Sequence, residues 1–378
     1  MASICVVAGD PSGDAHAARL IHALKAQQPS LTFSGLGGPA MRAAGATLLD
    51  ELTQTAAIGP FDALKHLGRY RAAARALDAH YTAHRPDLVI LVDFGDFNLP
   101  VIAPLAKRHG LRVLYYISPQ IWAWGRWRLR YVRRYVDHMI VFFPFEATLY
   151  ERYGIPVTWV GHPLIETARP TMTREDAINR MGLNPWRRTV GLLPGSRDRE
   201  IARHLPLMLA AARRIAWEMP GVQFLIPKAA GIAVERLQGA VSRARVDAQI
   251  VAQGTMADAL QLMEAALVAS GTATLEAALG GVPMAVVYRT SWPTYLAARV
   301  AVRLPHIALV NVVAGRGVVP EFIQHRATPQ HLADAIVAWV RNDAGAREMK
   351  SRLQQIREQL GPPGAVERAA RTVLAQLP

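Results

Sequence analysis

The sequence predicts an α/β chain with two parallel sheets, each covered by helices on both faces. Three observations carry this expectation. Short β-branched runs alternate with helical stretches along the whole chain. The runs are apolar nearly throughout, the pattern of strands buried on both faces. Several end in a Gly-, Ser- or Asp-containing turn that leads into a helix, as strand-to-helix loops of such sheets do. At 378 residues the chain is too long for one ordinary core and suits two Rossmann-like domains of about 150 to 200 residues each.

In the first half the runs are "ICVVAG", "LVILVD", "VLYYIS" and "MIVFF". In the second they are "TVGLLPGS", "VQFLIPK", "AQIVAQ", "ALVAS" and "MAVVYR". Between the two series, "VGHPLIETARPTMTRED" brings two prolines and a polar stretch ahead of the next helix, so the boundary is expected near residue 168. The expected domains are 1–168 and 169–345, followed by C-terminal helices over 346–378, the last of them packing back on the first domain.

Half the residues are hydrophobic and under a fifth are charged, which sets the chain apart from disordered ones. The single cysteine, Cys5, lies in an apolar run, so neither a disulfide framework nor a cysteine metal cluster is expected. No signal peptide and no apolar stretch long enough to span a bilayer is read, and a cytoplasmic location is expected. A formal net charge of +14 favours a polyanion, whether nucleic acid, anionic lipid or a phosphorylated substrate.

Four loops have the address at which open parallel sheets bind ligands. In "AGDPSGDAHAARL", Gly9 and Gly13 permit a tight turn, and the N–H groups behind Ser12 and Gly13 favour an anion; Asp14 caps the helix in the plainer reading. In "LLPGSRDREI", Gly195 and Ser196 lead into a helix that Ser196 can cap, and Arg197 can grip a diphosphate. "ASGTATLEAALGG" places Ser270, Gly271 and Thr272 at a helix start. Glu276, one turn in, can accept from two ribose hydroxyls or simply complement the helix dipole. "LVDFGDFNLP" ends a buried strand with Asp93 and Asp96, one of which can serve as a general base, while Asp96 can also hold the turn with Asn98.

With these loops assembled, the sequence resembles the lipid-A-disaccharide synthase family. The resemblance rests on "AGDPSGD" at 8–14, "DFGDFN" at 93–98, "SPQIWAW" at 118–124, "FFPFE" at 142–146, "GHP" at 161–163, "LPGSR" at 193–197, "SGTATLE" at 270–276 and "LVNVVAGR" at 309–316. It implies the GT-B architecture, two Rossmann-like domains facing across a cleft. It also implies inverting transfer of 2,3-diacylglucosamine from UDP to 2,3-diacylglucosamine 1-phosphate, with no metal and no cofactor. Asp93 is then the expected base, and Arg197, Glu276 and Asn311 the UDP-side residues. The first loop reads Asp10-Pro11 where the family pattern reads Glu-Thr, and it adds His16, a second candidate base beside Asp14.

In "WAWGRWRLRYVRR", Trp122 is expected to shape the acceptor side, with Arg126, Arg128 or Arg130 meeting the acceptor's 1-phosphate. The expected partners are the two acylated substrates, a second copy of the chain as a homodimer, and the anionic cytoplasmic face of the inner membrane. Attachment there is assigned to the stripe Phe61, Leu64, Leu67, Tyr70 and Leu77, with Lys65, Arg69, Arg71 and Arg75 nearby. A UDP-N-acetylglucosamine 2-epimerase of the same fold is the alternative reading. A basic nucleic-acid-binding protein would explain the charge but not the acidic, Gly-rich loops, so no nucleic acid is expected.

Overall fold

The structure, a computed structural model, describes residues 2–53, 67–229, 231–301 and 304–378. The chain divides into two compact units. The first runs to Pro163 and is completed by Pro362–Pro378; the second is Leu164–Gly361. The helix Leu164–Thr167, expected in the first domain, therefore belongs to the second. So does the helix Asp343–Gln359, only part of which was expected there.

In the first unit the strands are β1 (Ser3–Ala8), β2 (Thr32–Gly37), β3 (Thr47–Glu51), β4 (Leu88–Val92), β5 (Val113–Tyr116), β6 (His138–Val141) and β7 (Val157–Trp159). They form one sheet in the order β3-β2-β1-β4-β5-β6-β7, with every pairing parallel. The strand order reverses direction between β1 and β4. Their apolar runs are the centre of the core, and all five residues of β4 are fully buried. Gly35 in β2 has φ 146°, and a Cβ there would fall 1.9 Å from the Val6 carbonyl oxygen. Only glycine lets β2 come this close to β1, and it is here that the pairing of β2 with β3 shifts register.

The helix Pro11–Gln27 packs against the last helix, Ala365–Leu374, whose Ala365, Val366, Ala369, Ala370 and Val373 are buried. Arg368 of that helix donates from Nε to the Val160 carbonyl at 2.8 Å. The C-terminus thus returns to the first unit.

The second unit holds β8 (Thr189–Leu193), β9 (Gln223–Pro227), β10 (Ala248–Val251), β11 (Ala265–Ala269), β12 (Met284–Tyr288) and β13 (Glu321–Ile323), in the parallel order β10-β9-β8-β11-β12-β13. Its reversal lies between β8 and β11. The long helix Asp198–Glu218 and the helix Pro329–Arg341 share one core with these strands.

Of the proposed membrane stripe, Phe61, Leu64 and Lys65 lie outside the described residues. The rest corrects the expectation. The helix Leu67–His84 buries Ala73, Leu77 and Tyr81, and Tyr70 packs on Phe94 and Phe97 at 5.9 and 5.2 Å between ring centroids. From Tyr70 onward this apolar face covers its own sheet.

Candidate active site

At the reversal of the first sheet, β1 and β4 send the loops Gly9–Asp14 and Asp93–Asn98 out from adjacent carboxyl ends. Asp93 and Phe94 both take left-handed backbone, φ 44° and 49°, and Ile117 beyond β5 joins them at 70°. Such conformations cost roughly 1 to 3 kcal/mol each in non-glycine residues, so the surroundings must hold them. The Asp93 carbonyl accepts from Asn98 Nδ2 at 2.9 Å and from the Tyr115 hydroxyl at 2.5 Å. Phe94 lays its ring over Gly9, where a Cβ would fall 2.1 Å from the ring. Glycine at residue 9 therefore makes room for the turn that aims Asp93.

The Asp93 carboxyl is pushed up to about 7, first by burial and then by the charges of Asp10 and Asp96; a backbone N–H at Phe94 opposes the shift. It changes protonation state near neutrality, where a general base works best. His16, the other candidate base, is driven down to about 4 by burial and by Arg19. Its ring lies 5.6 Å from that of Phe142, and Nδ1 has no hydrogen-bond partner. An imidazole that weakly basic has little drive to take a proton from a hydroxyl, which favours Asp93.

Asp14 has a different role from the one expected. Its two oxygens accept from the N–H groups of Gly38, Ala40 and Met41 at 2.8, 2.9 and 3.0 Å. It therefore fixes the start of the helix Pro39–Ala43. The cap of the helix Pro11–Gln27 is Asp10, which accepts from Gly13 N at 2.6 Å. Ser12 is exposed and Gly13 is buried in that first turn.

Trp122 is held by Glu146, whose Oε1 accepts from the indole Nε1 at 3.1 Å while Oε2 accepts from Phe143 N at 3.2 Å. Burial pushes the Glu146 carboxyl up to about 8. Glu146 was quoted in "FFPFE" but given no role; its signal was the capping-box position three residues into a helix. Arg126 is exposed. Arg128 is buried, paired with Asp96 and stacked 4.0 Å from the centre of the Trp124 ring. The expected contact of Arg128 with acceptor phosphate is thereby corrected, and so is the turn role of Asp96, since Asn98 bonds backbone carbonyls instead.

In the second unit β8 and β11 are neighbours, so "LPGSR" and "SGTATLE" leave adjacent carboxyl ends. Arg197, not Ser196, is the residue ahead of the helix Asp198–Glu218, and no side chain caps it there. Glu200, in the first turn, reaches back to the loop instead: it accepts from Ser196 N at 3.0 Å and from Arg197 Nη1 at 2.9 Å. Gly195, at φ 119°, could not carry a side chain without striking Glu200. His204, buried, bonds Pro194 O through Nδ1 at 3.0 Å and accepts from Arg289 N at Nε2, 3.1 Å away. This tautomer ties the loop to the end of β12. Glu200 and His204 were both missed; only the helical spacing of Glu200 from Ser196 and Arg197 could have signalled either.

Ser270 donates to the Ile307 carbonyl at 2.9 Å, while Gly271 and Thr272 are exposed ahead of the helix Ala273–Leu279. Burial raises the Glu276 carboxyl above its ordinary range. Asn311 is a correction. It is buried, receives Val318 N and Val319 N at 2.8 and 2.9 Å, and donates to Val319 O and Glu321. Its amide is committed to the turn before β13.

The model of the family "Lipid-A-disaccharide synthetase" matches residues 4–375. A relative from Geobacter sulfurreducens, named lipid-A-disaccharide synthase, is 41% identical over 374 residues, covering 99% of this chain and 97% of that protein. Among solved structures, the calicheamicin glycosyltransferase covers 100% of this chain and 98% of its own at TM-score 0.66 and 16% identity. The UDP-N-acetylglucosamine 2-epimerase of Neisseria meningitidis, bound to UDP-GlcNAc, covers 99% and 100% at TM-score 0.66 and 13% identity. Both structural likenesses speak for the fold alone, which is the GT-B arrangement.

Proposed function

The chain belongs to the lipid-A-disaccharide synthase family, and from that membership we propose which of its residues carry the reaction. It is an inverting hexosyltransferase of lipid A biosynthesis. It moves 2,3-diacylglucosamine from UDP to the 6-hydroxyl of 2,3-diacylglucosamine 1-phosphate, giving the β-1,6 disaccharide 1-phosphate and UDP. The epimerase reading has only a shared fold behind it.

Asp93 is the base. Its carboxylate takes the 6-hydroxyl proton as that oxygen bonds the anomeric carbon, and the bond from that carbon to the diphosphate breaks. The observation that carries this is a carboxyl at the carboxyl end of β4 whose pKa is pushed up to about 7. Arg197 and the N–H groups of the Gly195–Ser196 turn take the charge growing on the departing UDP. Glu276 receives the ribose hydroxyls, with Ser270, Gly271 and Thr272 beside it. On the acceptor side, Trp122, braced by Glu146, forms a wall, and Arg126 meets the 1-phosphate.

Because both substrates carry acyl chains, the enzyme works at the cytoplasmic face of the inner membrane. No helix among the described residues is long and apolar enough to cross it. The helix Trp292–Ala301 supports peripheral attachment. None of residues 292–300 is buried, and the exposed Trp292, Leu296 and Val300 recur every four residues with Arg299 beside them. The test is UDP release from synthetic diacylated donor and acceptor. Release only when both are present supports the assignment; turnover of unacylated UDP-sugar alone would overturn it.

A further inference from the structure

The turn Arg126–Arg128 and the helix Leu129–Tyr135 carry two side-chain rows on the surface of the first unit. Trp127, Tyr131 and Tyr135 stand four residues apart and form an aromatic ladder, with ring centroids 5.9 and 6.2 Å apart. Beside it stand Arg130 and Arg134, with Arg133 next to them. The Arg130 guanidinium lies 5.5 Å from the Trp127 ring and 5.0 Å from Tyr131, and that of Arg134 lies 5.5 Å from Tyr135. The three arginines, with Leu129 and Tyr153, line an open depression of about 500 Å³.

The arrangement is electrostatically unfinished. Like charges three and four residues apart destabilise a helix. Asp137 is paired with Lys107 and Asp96 with Arg128. Among the described residues no carboxylate pairs with Arg130, Arg133 or Arg134. The rings meanwhile hold Arg130 and Arg134 in place, so little side-chain freedom is left to lose when an anion arrives. Trp127 is 53% exposed and Tyr153 42%, and amphipathic rings among cations suit the headgroup layer of a bilayer.

The depression is not the acceptor site. Arg133 and Arg134 fall in the last turn before β6, and Tyr153 comes just before β7. They therefore lie toward the amino-end edge of a parallel sheet whose opposite edge, at the ends of β1 and β4, carries the proposed chemistry.

We propose that this depression binds the phosphate of an anionic phospholipid headgroup, gripped by Arg130, Arg133, Arg134 and the Tyr153 hydroxyl, while Trp127 enters the headgroup layer. The site presupposes the membrane attachment proposed above and names a contact for it. The experiment is flotation of the full chain with phosphatidylglycerol–phosphatidylcholine vesicles and with pure phosphatidylcholine, for the parent and an Arg133→Gln/Arg134→Gln variant. The parent should float with the anionic vesicles, and less so in high salt. The variant should partition roughly 30-fold more weakly, while releasing UDP at the parental rate from detergent-dispersed substrates. Inorganic phosphate at millimolar concentration should leave flotation unchanged; displacement by it would make free phosphate the ligand and overturn the headgroup assignment. Parental flotation of the variant would overturn this site alone, leaving attachment to the helix Trp292–Ala301. Loss of detergent turnover in the variant would return these arginines to the acceptor. If the parent itself fails to float, the membrane reading falls and the headgroup site with it.

Discussion

At the reversal between β1 and β4, the charges of Asp10 and Asp96 act on Asp93, over backbone forced into left-handed conformations. At the reversal between β8 and β11, the corresponding loop sets an arginine and a helix N-terminus outward, with one glutamate neutralising them. The folds are alike and the electrostatics opposite. The first site makes a carboxylate reluctant to ionise and therefore able to take a proton; the second presents donors to charge that is already there. One architecture supports both because the strand ends fix position while the loop residues set the charge.

The contrast breaks most sharply at Asp93. Asp93→Asn should lower turnover by about 10² to 10⁴ with UDP affinity unchanged, read by single-turnover kinetics beside calorimetry. Parental turnover would remove the proton-accepting role from the first loop pair. In the second unit, Arg197→Ala or Glu276→Ala should each weaken UDP binding by about 1.5 to 3 kcal/mol while leaving the acceptor KM unaltered. Calorimetry showing parental UDP affinity would place the nucleotide elsewhere.

The pH profile sharpens the comparison further. A base must be ionised to act, and the Asp93 carboxyl is pushed up to about 7, so kcat/KM should rise with pH through that value. Asp10 opposes ionisation, so Asp10→Asn should move the limb to lower pH; asparagine still caps the helix. A limb that stays in place would mean that Asp10 does not act on the group that titrates. Smallest is the effect of Glu200→Gln. Removing a carboxylate that competes for Ser196 N and Arg197 should tighten UDP binding about threefold, the scale of an exposed ion pair. Weaker binding would instead make Glu200 a brace for the loop.

The contrast also explains what the sequence could show. β4 was legible because five consecutive apolar residues have few other uses and β8 because its short run leads straight into a Pro-Gly turn, and their loops were legible because glycine beside a charge at a strand end is specific. β2 and β3 were not read, the first carrying two glycines and the second only partly buried, and neither were β7 and β13, three residues each and nowhere fully buried. Asp14 and Asn311 were misassigned for one reason. A short polar side chain in the first turns of a helix receives backbone N–H groups of a neighbouring turn as readily as it receives substrate, and those of Gly38, Ala40 and Met41 are distant in sequence from Asp14. Arg128 was read as a contact for the acceptor's phosphate, a reading that takes no account of an aromatic stack and a carboxylate drawing it in.

The return of the last helix to the first unit has a consequence for synthesis. The second unit is one continuous stretch, complete in sequence at Gly361. The first unit has its described strands much earlier, but the helix Pro11–Gln27 lacks its neighbour Ala365–Leu374 until those residues too are made. Domains usually mature in the order they are made; here the unit that begins first is completed last. During that interval the side of the first helix that later meets the C-terminus faces solvent or a chaperone. A released chain cut back to Gly361 would therefore hold every residue of the second unit and a first unit still missing part of its cover.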